Sequence, residues 1–339
     1  MGTDGFPVGK LKMEHLSGLL GRYRGAPDAS VIVGAEIGED AAVIETGGEL
    51  LVAKTDPITF AVDQIGRYAI NINANDIACM GGRPRWFLAT ILLPEGVTDE
   101  ALIDRIFSEL SEACKELGIA ICGGHTEVTY GLNRPIVVGQ MLGEVPRERL
   151  VRSSGAVAGD HLIVTKGIAV EATALLAREK EDALAGAFDR EFIARCKGFM
   201  EYPGISVVRD AAAATAAGGV HAMHDPTEGG LATGLHELAS AAGVGVEVWM
   251  DAIPVYPETK ALCEFFGLDP LGVIASGALL IAAAPDSSGH IADSLRAAGI
   301  DCFRIGRATD RSEGLTLMMG EQRRPLPRFE QDEISKVFS

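Results

Sequence analysis

The chain has 339 residues, 47% of them apolar, which is enough for two domains with a core each. Lys and Arg number 30 against 47 Asp and Glu, and the resulting charge of −17 excludes nucleic acid and anionic membrane as partners, because both are bound by neutralising phosphate. No apolar run reaches the ~18 residues of a membrane span and no secretory leader precedes the first elements, so a cytoplasmic protein is expected. The six cysteines are scattered, without a C-x-x-C pair, and read as buried thiols.

Residues 41–46 and 49–56 are short, rich in Val, Ile and Leu, and read as buried strands, the second delivering Asp56 to a sheet edge. Residues 63–80 change to helical period, with Ile65, Ala69, Ile72, Asn73 and Asp76 on one face, and Gly81-Gly82 with Pro84 ends that helix. A strand over 86–93 precedes a helix with Thr98 as N-cap; a buried strand at 119–124 and another at 135–145 complete a first domain, 1–151. The small, glycine-rich stretch 152–160 reads as the connection to a second domain, 160–339. That domain begins with a strand at 161–167, continues with helices over 169–178, near 189–198 and near 205–217, then a turn and helix over 225–243, a strand at 244–250 and a strand, helix, strand unit over 277–309. The fold class is therefore α/β, in two mixed domains.

Five acidic clusters carry the chemistry. Gly34 and Gly38 flank a turn presenting Glu39 and Asp40, where a carboxylate can share Mg²⁺ with phosphate oxygens or simply face water. An unpaired Asp56 closing a buried strand is costly, so pairing, metal or an Asx-turn is required there. Asn75 and Asp76 on an apolar helix face need metal, phosphate or a loop to satisfy them. In the 122–128 segment, Gly123 and Gly124 permit close backbone approach to a ligand, and His125 by itself reads as a hydrogen-bonding or packing residue beside Thr126 and Glu127. Around Asp225, Pro226 and Thr227 can start and cap a helix whose Gly229 and Gly230 amides form a phosphate cradle, or merely a well-capped helix. No G-x-x-x-x-G-K-[ST] and no G-x-S-x-G occurs, which removes the P-loop and the nucleophile elbow.

The runs at 38–44, 55–96, 124–128, 225–239 and 254–282, in that order, resemble the hydrogenase-maturation family HypE. HypE shares a superfamily with aminoimidazole ribonucleotide synthetase, thiamine-monophosphate kinase and selenophosphate synthetase. The resemblance implies a homodimer whose N-terminal mixed sheets form its core, a C-terminal sheet covered by helices, and ATP with Mg²⁺ between domains. It places Glu39, Asp40, Asp56, Asp76 and Asp225 at metal, Asn75, Gly124, Thr126, Thr227, Gly229 and Gly230 at nucleotide, and Asp76, Asp225 and His125 in catalysis.

Three departures qualify the resemblance. HypE carries a terminal cysteine, whereas this sequence reads "EQDEISKVFS" at 330–339; its segment 7–23 is closer to the kinase; Glu39 and His125 stand where Asp is usual. The resemblance thus implies ATP-dependent phosphorylation of an oxygen on a small-molecule substrate. Two other readings stay open: a nucleotide-binding partner subunit in maturation, and a kinase like the thiamine-phosphate enzyme.

Overall fold

The structure, a computed structural model, describes residues 10–338 apart from Lys12, Arg24 and Ile37. The leader reading for residues 1–9 and the start of the 7–23 segment lie outside the described residues. In chain order the elements are α1 (Met13–Arg22), β1 (Val31–Val33), β2 (Ala42–Glu45), β3 (Leu50–Ile58), α2 (Ile65–Cys79), β4 (Arg83–Pro94), α3 (Glu100–Leu117), β5 (Ala120–Thr129) and β6 (Ile136–Val145). There follow β7 (His161–Thr165), α4 (Val170–Glu179), α5 (Glu181–Leu184), α6 (Arg190–Lys197), α7 (Val208–Ala217), β8 (Val220–His224), α8 (Gly230–Ala242) and β9 (Gly245–Trp249). The chain closes with α9 (Pro257–Phe266), β10 (Leu280–Ala283), α10 (Ser288–Ala297), β11 (Cys302–Thr309), β12 (Leu315–Met319), β13 (Gln322–Pro325) and α11 (Ser335–Phe338).

The first sheet has the order β1-β2-β3-β6-β4-β5 and is mixed, β4 and β5 pairing in parallel and the rest antiparallel. The second has the order β13-β12-β9-β11-β7-β10-β8. Its two faces are both covered: Leu231, Leu235 and Leu238 of α8 pack on Leu162, Val164 and Val248, while Ala211 of α7 and Ile291 and Leu295 of α10 pack on Ile163, Met223 and Ile281. This is the two-sheet α/β architecture expected. Among the described residues no helix is long and apolar enough to cross a membrane.

Alternation along β6 buries Val137, Met141 and Val145 under α2, while Ile136, Val138 and Leu142 point to the opposite face and stay half-exposed. The same parity leaves Trp86, Leu88 and Leu92 of β4 and Leu51 and Ala53 of β3 partly open. One face of this sheet is thus apolar and uncovered.

Three expectations are corrected. The segment at 119–124 is not a buried strand but part of β5, an edge strand exposed along nearly its whole length, with Ile121 at 49% and Val128 at 55%. Helix α3 is capped by Asp99, whose carboxylate accepts from the Leu102 amide at 2.8 Å, while the Thr98 hydroxyl donates to the Pro94 carbonyl. Cys122 is exposed, although four of the other cysteines are buried.

Helix α2 is buried on nearly every face, leaving Arg67 and Asn71 as its openings. Its polar residues therefore make structural bonds. Asn73 accepts from the Asp56 amide at 2.9 Å and donates to the Ala69 carbonyl. Asn75 donates to the Ile205 carbonyl at 2.9 Å and accepts from the Val207 amide at 2.8 Å, tying α2 to the entry of α7. Asn75→Ala leaves a buried carbonyl and a buried amide without partners, so urea unfolding is expected to show a loss of about 3 kcal/mol. A loss below about 0.5 kcal/mol rules out this bridging role.

Candidate functional site

A cavity of about 560 Å³ lies where the end of β3, the face of α2, the turn at 38–40 and the turn at 225–228 meet. Asp40, Asp56, Asp76 and Asp225, four acids from distant parts of the chain, all line it, together with Glu39 and Thr227. Residues 38–40 lie against α8 because Gly38 adopts φ +83° and leaves room for the Glu237 carbonyl, 2.7 Å from where a Cβ would stand.

The other residues expected at the site lie elsewhere. Asn75 is fully buried and spent on the 205–207 segment. Gly124, His125 and Thr126 lie on β5, outside the cavity, with His125 Nε2 3.0 Å from Glu127 Oε2. Gly124 serves packing, since a Cβ there would stand 2.0 Å from the Ala89 carbonyl of β4. Gly229 lines a neighbouring pocket, and its amide donates to Asp332 Oδ2 at 2.7 Å, while the Gly230 amide donates to the Thr227 carbonyl. An internal carboxylate thus occupies the opening of α8, which starts at Gly230.

Several cavity residues lie outside the acidic and glycine-rich motifs of the sequence. Lys54 lies 3.0 Å from Asp76 and 3.3 Å from Asp56, and sits two positions before Asp56 on the same strand face. A cation at i−2 of an acid in an otherwise apolar strand is a readable sign. His224 bridges Asp40 at 2.5 Å and Glu237 at 3.0 Å. Lys10 reaches Glu228 at 3.3 Å and donates to the Thr227 hydroxyl. Glu171, Ser276 and Arg134 complete the wall.

Carboxylates outnumber cations here, and burial raises their proton affinity. Asp225 is pushed up to about 7 by burial and by the Asp40 charge, and burial pushes Asp76 up against the pull of Lys54. Glu171 rises to about 8 through burial, and Asp332 to about 6 despite the amides of Gly229 and Ile334. Burial alone would raise Glu237, but Lys10 and then His224 hold it at about 2. Burial works against a charged Lys54 and a charged His224; in each case the adjacent carboxylates prevail and hold the group well above its ordinary value.

Asp76 Oδ2 and Asp225 Oδ2 are buried without a hydrogen-bond partner, and ligand atoms of Asp40, Cys79 and Asp225 lie within 4.8 Å of one another. Oxygen donors with free lone pairs suit a hard divalent cation. Cys79 is not one of its ligands by chemistry: its thiol, raised well above the ordinary value by burial, donates to Asp225 Oδ1 at 3.4 Å. Glu39 is largely engaged, accepting from the Ser153 amide and the Ser154 hydroxyl.

Residues 38–145 match the family model for the AIR synthase related protein N-terminal domain, and residues 157–317 match that for the C-terminal domain. Over 293 residues the chain is 30% identical to a putative hydrogenase expression/formation protein of Methanocaldococcus jannaschii, covering 84% of each. It is 32% identical over 288 residues to carbamoyl dehydratase HypE of Cupriavidus necator, covering 80% of this chain and 77% of that protein. The solved structure of E. coli HypE superposes with a TM-score of 0.72 at 25% identity over 86% of this chain and 89% of that one. HypE in complex with ATP (24% identity, TM-score 0.72, 86% and 89% coverage) shares the fold. So does HypE in a HypE-HypF complex (23%, 0.72, 86% and 93%).

Glu171 provides a test of the buried acids. Its folded-state value of about 8 exceeds the ordinary 4.5, so folding takes up a proton between these values and stability falls as pH rises through that window. Glu171→Gln lacks the titrating group. Relative to the unaltered protein it is expected to gain on the order of 5 kcal/mol in urea unfolding between about pH 4.5 and about pH 8. A difference that does not change with pH refutes the assignment.

Proposed function

The chain belongs to the AIR synthase-related family and is HypE-like within it, and on that footing we propose that it binds ATP with Mg²⁺ and phosphorylates, and so activates, an oxygen of a small molecule. The observation that carries this reading is the convergence of Asp40, Asp56, Asp76 and Asp225 on one cavity, two of them with buried oxygens lacking partners. Bound Mg²⁺ supplies charge neutralisation for phosphate oxygens, and Asp40, Asp76 and Asp225 are the residues to hold it, with Asp56 and Glu39 beside them.

The protein's own part is positioning. Lys54, fixed between Asp56 and Asp76, presents a cation on the cavity wall. Arg134 lines the same cavity and, among the described residues, has no ion-pair or hydrogen-bond partner. Its guanidinium is free to meet a phosphate brought into this acidic cavity. Phe60 and Ile72 cover the wall with apolar surface, which excludes water and strengthens these charge interactions. Of the acids in the cavity, Asp76 and Asp225 are the ones we assign to catalysis.

The same reading divides the chain at 152–160 into domains 1–151 and 160–339 and makes it a homodimer through its first sheet. The uncovered apolar face of β3, β6 and β4, beside the exposed edge β5, supports that pairing. In such a dimer Gly124, His125 and Thr126 reach a nucleotide only from the second copy, since in their own chain they lie outside the cavity.

One observation favours a second reading, a nucleotide-binding subunit working through a maturation partner. The Gly229 amide is already taken by Asp332, which withdraws a donor from phosphate. HypE, whose fold this chain shares, has been solved in a complex with HypF.

Incubation with ATP, Mg²⁺ and a panel of carbonyl and hydroxyl metabolites separates the two. ADP release with one metabolite supports the enzyme, whereas tight ATP binding without turnover supports the subunit. Asp76→Asn is expected to weaken Mg²⁺-dependent ATP binding more than about tenfold by calorimetry, or about 1.4 kcal/mol; unchanged affinity refutes the site. Val138→Glu places a charge on the uncovered sheet face and is expected to turn a dimer into a monomer in sedimentation velocity. A dimer that survives it does not use this face.

A further inference from the structure

Glu171 is left over by the metal and phosphate chemistry. It lies in the first turn of α4, is 4% exposed, lines the cavity, and its Oε2 is buried without a hydrogen-bond partner. Ser276 stands beside it, its carbonyl accepting from the Glu171 amide at 3.2 Å. The Ser276 side chain is fully buried, also lines the cavity, and its Oγ has no partner either. The hydroxyl comes near enough to oppose the rise of the Glu171 carboxyl without reaching hydrogen-bond geometry.

A first-turn position favours an acid through the helix dipole, but a dipole does not satisfy a buried lone pair. Two adjacent orphan oxygens on a cavity wall call for a donor from a ligand. The strongest charges acting on Glu171 are those of Glu228, Asp332 and Asp225, all negative. Burial and that repulsion keep the carboxyl protonated near neutral pH; a cationic N–H donor takes the place of the proton and relieves the repulsion, whereas an anionic ligand group would add to it. Ile72 and Ile274 on the same cavity wall offer apolar contact to the carbon skeleton bearing such a group.

We propose that Glu171 and Ser276 form the acceptor end of the cavity and recognise a protonated amine or amidine on the small molecule to be phosphorylated. This rests on the ATP-dependent reading above. Glu171 is a specificity residue in this scheme, touching substrate at a distance from the transferred phosphate.

Three probes sharing one ring and differing in charge test it by fluorine NMR on the full chain with Mg²⁺ and ADP: 4-fluorobenzylammonium, 4-fluorobenzyl alcohol and 4-fluorobenzoate. The ammonium is expected to bind and broaden, and the benzoate to stay sharp. Glu171→Gln keeps the shape and removes the group that ionises when the ammonium binds, and is expected to weaken ammonium binding about tenfold or more, with Ser276→Ala weakening it less. Equal binding of the alcohol or benzoate, undiminished ammonium binding by Glu171→Gln, or displacement of the ammonium by excess Mg²⁺ overturns the proposal. Failure of the unaltered protein to bind ATP in calorimetry sinks the nucleotide reading instead, so the two failures are told apart.

Discussion

Lys54 lies between Asp56 and Asp76, and the buried acid cluster depends on that cation. A carboxylate taken out of water without compensation costs several kcal/mol, and here Asp40, Asp76 and Asp225 are all at least nine-tenths buried. Lys54 answers Asp76, and His224 answers Asp40 while being held in turn by Glu237. What remains unanswered, Asp76 Oδ2, Asp225 Oδ2 and Glu171 Oε2, is the part of the charge balance left to ligands. The site is thus organised around negative charge in excess of what the chain itself neutralises.

Much of the architecture was legible because periodicity survives burial. The apolar runs at 49–56 and 135–145 and the helical period at 63–80 correspond to β3, β6 and α2. The failures have local causes. Apolar Ile121 suggested a buried strand, but β5 is the last in its sheet and only one neighbour covers its backbone. Short β8, β12 and β13 and helix α9 were not anticipated, since segments of four or five residues, or a helix starting at Pro257, carry little periodic signal.

At the site, acids were readable one by one because each sits beside a turn or on an apolar face. Their partners were not. Nothing in the local pattern of residues 166–173 marks Glu171 as a cavity residue, because its surroundings come from 225–228, 276 and 332, far away in the chain. The glycine pairs are ambiguous for a related reason: a glycine that admits a phosphate and a glycine that admits a neighbouring backbone look alike in one dimension. Gly124 yields to Ala89, and Gly230 to the Leu271 carbonyl 2.5 Å from its would-be Cβ.

The bond between the Gly229 amide and Asp332 spans 103 positions, and Ile334 next to it is fully buried. During synthesis α8 emerges long before its closing anion exists, so its first turn waits with an unsatisfied amide until residue 332 has cleared the ribosome. The first turn of α8 therefore takes its final form only once that distant stretch has been made and has docked against it.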